Sequence, residues 1–221
     1  MRLTPKIVLE IMAHEAIVRQ AYKDSVGVWT WSVGITNASG HNVTRYIGNP
    51  QSMERCLAVF LWLLEEKYAP AVHKAFKGHV LSEEQFGAAL SFHWNTGAIA
   101  RASWVKAWKK NKSAEAYHAF LNWRKPPEIV PRRLKERDLF FAEEWSHQGF
   151  LVNEITRVTS SSAPDFRSMV KIDIQDDLLA AMAGHSPGAP PDVPTDTEVP
   201  VRPSFWAGLI MRLLRAIRSL F

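Results

Sequence analysis

The sequence predicts an α+β fold in which a small antiparallel sheet stands beside a larger helical lobe. Three observations lead there. A short β-branched and aromatic run between glycine turns, Val28–Val33, follows an apolar helix-period stripe near the N-terminus. Helix periodicity with capping signals then dominates as far as residue 146. The chain has 221 residues, of which 47% are hydrophobic and 22% charged, enough to bury a core of globular size.

Thr4 before Pro5 reads as an N-cap and first helical position, since Pro has no N–H to lose there. Ile7, Val8, Ile11 and Met12 form the apolar stripe of a helix expected to run to about Ala13, with Glu15 at its end. From Tyr22 to Arg45, Gly27, Gly34 and Gly40 punctuate strand-like residues. Alternation places Val28, Thr30 and Ser32 on one polar face, with Trp29, Trp31 and Val33 on the other. Leu57, Phe60, Leu61 and Leu64 mark a helix that Pro70 is expected to kink or end. Ser82–Gln85 is a capping box, opening a helix that Asn95-Thr96-Gly97 closes. Short helices are expected over 103–109 and 113–123, a break at Pro126-Pro127, and a last helix from Pro131 through Trp145. Residues 150–158 and 166–174 alternate like a hairpin around Ser160–Pro164.

Domain boundaries follow from composition: a body over 1–146, an extension over 147–185 packed on it, a Pro-rich linker over 186–203, and a terminal segment over 204–221. In that last segment Arg212, Arg215 and Arg218 fall on one helical face, opposite Trp206 and its apolar neighbours. Three central Arg make spanning a bilayer costly, so the reading is a cationic helix lying on an anionic membrane, with Trp206, Arg212, Arg215 and Arg218 as its contacts. The 27 Lys and Arg against 22 Asp and Glu give a net charge of +5, which favours polyanions. No clustered basic motif points to nucleic acid. A single cysteine, Cys56, excludes an intrachain disulfide, and no Cys/His spacing suggests zinc. Glu10 interrupts any signal-peptide apolar run, so synthesis in the cytoplasm without an export signal is expected. No metal, cofactor or obligate partner subunit is expected.

The chemistry-bearing segment is Glu15–Thr30. Glu15 at a helix end, Asp24 in the loop before Gly27 and Thr30 on the polar strand face can meet across a cleft. Two carboxyl groups flanking a bond, one kept protonated, are what glycoside hydrolysis needs. The same residues, taken singly, are ordinary surface features. The pattern Glu-x8-Asp-x5-Thr, with Tyr22-Lys23-Asp24, Gly27 and Gly34, resembles the phage-type lysozymes, endolysins of glycoside hydrolase family 24. Ser91-Phe92-His93-Trp94-Asn95-Thr96-Gly97 and Pro131-Arg132-Arg133-Leu134-Lys135-Glu136 are similar to two further segments of that family, in the same order.

The resemblance covers about residues 1–146. It implies a lysozyme-like fold of two lobes joined by a long helix, here 51–76, and hydrolysis of the β-1,4 bond between N-acetylmuramic acid and N-acetylglucosamine in peptidoglycan. It makes Glu15 the general acid, with Asp24 and Thr30 positioning water or stabilising the transition state. Trp29, Ser32 and Asn95 are candidate substrate contacts; Arg132, Arg133 and Glu136 read as an ion-paired helix surface. The expected setting is a monomer in the host cytoplasm that reaches the wall once the membrane is permeabilised. Alternatives are a non-catalytic wall-binding module and a membrane-lytic protein acting through the terminal helix. Two positions depart from the family: Ala16 stands where Gly is usual, and Ile35 where His is usual.

Overall fold

Thr4 caps the first helix as its sequence requires: its Oγ1 accepts the Ile7 N–H, and Pro5 opens α1 (Pro5–Met12). The computed structural model describes residues 2–184 and Gly188. The linker expected over 186–203, Gly188 apart, and the terminal helix expected over 204–221, with Trp206, Arg212, Arg215 and Arg218, lie outside the described residues. α1 is buried from Ile7 to Met12, and a tight turn at Ala13-His14 delivers the chain into β1 (Ala16–Lys23).

β1 continues through a hairpin tip at 24–28 into β2 (Trp29–Ser32), and β3 (Ile35–Thr36) completes an antiparallel meander. Between Val18 and Tyr22, β1 spends four residues against the two from Ser32 to Thr30 on β2. Such an irregularity bends the strand, which Glu15 and Asp24 flank in sequence.

The connecting helix is not a single rod. α2 (Met53–Leu63) passes through a π-helical turn over Leu64–Tyr68 into α3 (Ala69–Ala75). Pro70 has no N–H to give the carbonyl four residues back, and the wider turn, closed by Ala69 N–H on Leu64 O, absorbs it. Pro70 therefore neither ends nor breaks the path.

In the helical lobe, α4 (Glu83–Thr96) starts at the Ser82/Gln85 capping box and ends on Gly97 in the left-handed region. α5 (Ser103–Trp108) and α6 (Ser113–Phe120) follow. α7 (Val130–Ala142) stops at Glu143, earlier than Trp145, because Glu143 takes φ +60 and closes the helix. A continuous aromatic core of Phe76, Phe92, Trp104, Phe120 and Phe140 fills the space between these helices.

Residues beyond α7 add to the sheet rather than sitting on its surface. β4 (Leu151–Ile155) pairs parallel to β1 at Ala16 and Ile17, and antiparallel to β5 (Met169–Asp173). The sheet order is β3-β2-β1-β4-β5, so β1 lies at its centre. A second apolar cluster of Ala16, Val18, Tyr22 and Ile155 joins the two halves. α8 (Gln175–Gly184) then packs on α2 and α1. Glu10 of α1 fixes the entry to this extension by accepting the backbone N–H groups of Ser146 and His147 and the Ser146 hydroxyl. Among the described residues no helix is long and apolar enough to cross a membrane.

Candidate active site

Glu15 occupies the turn between α1 and β1, where its N–H bonds to Met12 O and its side chain enters the interior. It is 3% exposed. Gly34 makes room for it: a Cβ there would sit 3.4 Å from Glu15 Oε2, and its φ of +77 suits glycine. Arg132 Nη1 donates to Glu15 Oε1 at 2.5 Å, while Oε2 has no protein partner among the described residues. Burial pushes the Glu15 pKa up to about 7, overcoming the opposing pull of the Arg132 charge and hydrogen bond. A carboxyl near that value carries its proton through much of the neutral range and can still give it up.

Behind Glu15 lies a buried ionic network. Arg132 Nε and Ser91 Oγ donate to Glu136 Oε1 at 2.8 and 2.7 Å, and Arg133 Nη1 donates to Glu136 Oε2. Arg133 Nη2 also holds Asn95 Oδ1. Arg132, Arg133 and Glu136 are each at most 1% exposed. The sequence reading had these residues on a solvated helix face. The structure overturns that: α7 is pressed against α4, so the charged side of α7 faces inward and is satisfied there. A helix-period pattern of charges carries no sign of being buried, which is why the sequence missed it. The polar Ser91 and Asn95 positions on α4, which meet Glu136 and Arg133 respectively, were the available signal.

Asp24 sits in the hairpin tip, half-buried. Its Oδ1 accepts the N–H groups of Val26 and Val28 at 3.0 and 2.8 Å. Burial raises its pKa above the usual carboxylate value, against the lowering effect of those backbone donors. Thr30 pairs with Tyr22 across the ladder, is 4% exposed, and donates to Val28 O at 3.1 Å. Tyr22 was not singled out from the sequence. Its phenol is fully buried and without a protein partner, and after burial itself the charges of Glu15 and then Asp24 push its pKa well up. Both carboxyl groups therefore act on one buried hydroxyl.

The other expected contacts divide. Trp29 stays half-buried beside this tip, with the Lys23 ammonium 5.3 Å from its ring. Ser32 does not line a cleft: it is fully buried, adopts φ +53, and donates to Cys56 O at 3.3 Å. Leaving the extended region at Ser32 breaks the alternation that placed it on a polar face. Trp31 is core, donating to Arg19 O and stacking on Tyr46 at 4.0 Å. Asn95 is 6% exposed and its carbonyl oxygen is taken by Arg133. Among the described residues, no group of His, Cys, Asp and Glu forms a metal cage.

A buried acid that holds its proton near neutrality, joined through one bent strand to a second carboxyl, defines a site suited to general acid chemistry on a glycosidic bond. The family model described as phage lysozyme matches residues 12–138, and the chain belongs to that family. It is a lysozyme, an enzyme that hydrolyses peptidoglycan. Among solved structures it is similar to an endolysin from Escherichia coli O157:H7 phage FAHEc1, with 23% identity, 66% of this chain and 98% of that chain covered, and a TM-score of 0.59. It is also similar to P22 lysozyme in a mutant form (26% identity, 63% and 98% covered, TM-score 0.51). A third neighbour is the muramidase domain of SpmX from Asticaccaulis excentricus (22%, 63% and 97% covered, TM-score 0.53). No curated protein matches the chain.

Proposed function

We propose that this lysozyme is an endolysin that cleaves the β-1,4 bond between N-acetylmuramic acid and N-acetylglucosamine, with Glu15 as general acid. The observation that carries the reading is the state of Glu15: buried, with a pKa of about 7 and one carboxyl oxygen without a protein partner. That oxygen delivers the proton to the leaving glycosidic oxygen. Asp24, in its half-exposed tip, is the ionised partner. With the Thr30 hydroxyl it holds the attacking water or opposes the positive charge that develops on the sugar ring. Trp29 offers a ring face for a sugar to stack on, and the Asn95 amide nitrogen remains to donate to the glycan.

The test is digestion of purified peptidoglycan followed by borohydride reduction and mass analysis of the new ends. Muramitol is expected. Glucosaminitol would overturn the bond assignment. Glu15→Gln should lower the rate at least a hundredfold, consistent with loss of a general acid; undiminished hydrolysis would remove Glu15 from that role. If the protein instead lyses cells equally well with Glu15→Gln, the membrane-lytic reading takes its place.

The sequence of 204–221 supports a second element of the proposal, an amphipathic helix that holds the enzyme on anionic membrane through Trp206, Arg212, Arg215 and Arg218. Removing 204–221 should abolish binding to phosphatidylglycerol vesicles and leave hydrolysis of soluble glycan intact. Vesicle binding that survives the deletion refutes it.

A further inference from the structure

The family unit matched in this chain ends at residue 138, so the loop between β4 and β5 is an addition to it. That loop reaches the hairpin that carries Asp24. Ser162 O accepts the Lys23 N–H at 2.7 Å, one residue before Asp24. Alternate N–H groups along β1 face β2, where the Asp24 N–H meets Val28 O, so the Lys23 N–H points to the opposite edge. β4 pairs with β1 at the other end of the strand, at Ala16 and Ile17. The loop supplies the neighbour that β1 lacks beside Asp24.

Such support matters at this position. Past the irregularity between Val18 and Tyr22, β1 and β2 pair at Tyr22–Thr30 and Lys23–Trp29 before the tip begins. So short a two-stranded ladder is marginal in water, and a third strand or a packed face is what steadies it. The extension provides both. Ser162 O adds the third edge, and the fully buried Tyr22 side chain clusters with Ile155, with Val158, Phe166 and Met169 packed against them.

The loop is braced so as to hold that carbonyl in place. The Thr159 N–H bonds to Ala163 O at 2.8 Å, and the Ser162 N–H bonds to Thr159 O at 2.9 Å. Thr159 Oγ1 accepts the Ala163 N–H at 3.1 Å. Ser162 takes φ +65, the left-handed position that closes a tight hairpin loop and favours glycine. A β-branched side chain does not tolerate that backbone, so the residue at 162 controls where its carbonyl points. We propose that Ser162 and its loop position Asp24, so that the extension completes the active site. The proposal rests on the reading of Asp24 as the ionised catalytic partner. Ser162 touches no reacting atom; it acts through the Lys23 amide on where the Asp24 carboxylate stands.

The test uses the full chain and soluble glycan strands. Ser162→Val should lower kcat about tenfold, as a displaced catalytic group does, with KM changed by less than about twofold. Ser162→Gly and Ser162→Asn accept the left-handed backbone and should keep the wild-type kcat. Thr159→Val removes the oxygen that braces Ala163 and should lower kcat, whereas Thr159→Ser should retain it. Amide exchange followed by NMR should find the Lys23 N–H protected in the wild type and in Ser162→Gly, and open to exchange in Ser162→Val. Thermal melts confirm that each variant is folded at the assay temperature; should Ser162→Val fail there, the Thr159 pair decides. Undiminished kcat in both Val variants overturns the proposal, as does a loss that Ser162→Gly and Ser162→Asn share. Full turnover by Asp24→Asn overturns the role of Asp24, and the proposal with it. An inactive Asp24→Asn beside fully active Ser162→Val and Thr159→Val strikes the proposal alone.

Discussion

Replacing Glu15 by Gln should stabilise this protein above pH 7 while disabling it. Glu15 is 3% exposed, and burial moves its carboxyl from the ordinary 4.5 to about 7 even with Arg132 in contact. The folded protein therefore holds this proton more tightly than the unfolded chain does. Between pH 4.5 and 7 the unfolded state binds fewer protons, so stability falls as pH rises. The contribution is fully present below 4.5 and lost above 7. At about 1.36 kcal/mol per pH unit the displacement amounts to about 3 kcal/mol. Gln has no proton to lose, keeps a carbonyl oxygen for Arg132, and escapes the cost of a buried charge. For a chain of this size each kcal/mol moves the melting temperature by about 2–4 °C. Thermal melts of both proteins at pH 4.5, 6, 7 and 8 should show the variant about 6–12 °C higher at pH 8 and within a few degrees at pH 4.5. A difference that stays the same across that range refutes the account, because it would mean Glu15 does not titrate differently in the two states.

The pH dependence of kcat/KM on soluble glycan should fall through a limb centred near pH 7, about tenfold per unit beyond it, as Glu15 gives up its proton; rates that stay flat to pH 9 would exclude Glu15 as the acid. Gly34→Ala places a Cβ against the Glu15 carboxyl at φ +77. It should cost about 1–2 kcal/mol of stability by denaturant titration and impair turnover, and a neutral outcome would show that the loop yields easily. Glu136→Ala strips two buried arginines of their shared anion and should cost about 3–5 kcal/mol. An unchanged unfolding midpoint would mean that Arg132 and Arg133 find other partners.

Much of the chain could be read without coordinates. Capping at Thr4 and Ser82, the glycine stop at Gly97, the strand at residues 29–32 and the hairpin partners near 151–155 and 169–173 all follow from local preferences. Local signals suffice there because a cap or a turn is decided by a few neighbouring residues. Pro70 marks an irregularity in the connecting helix, but its form, a π turn, depends on the packing of the whole helix and is not written in the proline.

By itself the sequence determined which residue types are available for catalysis, Glu15, Asp24 and Thr30 among them, and that an apolar sheet and helices must enclose them. Tertiary structure decided their states. The proton on Glu15 is retained because the side chain is shut away from water between Gly34 and Arg132, neither of which adjoins it in sequence. The charges of α7 became interior because α4 covers them, and Ser32 became core because its backbone turned out of the strand. The central place of β1 arose only when β4, more than a hundred residues later, paired with Ala16 and Ile17. Burial and electrostatic coupling are properties of surfaces that meet, and a linear pattern records only which surfaces are available to do so.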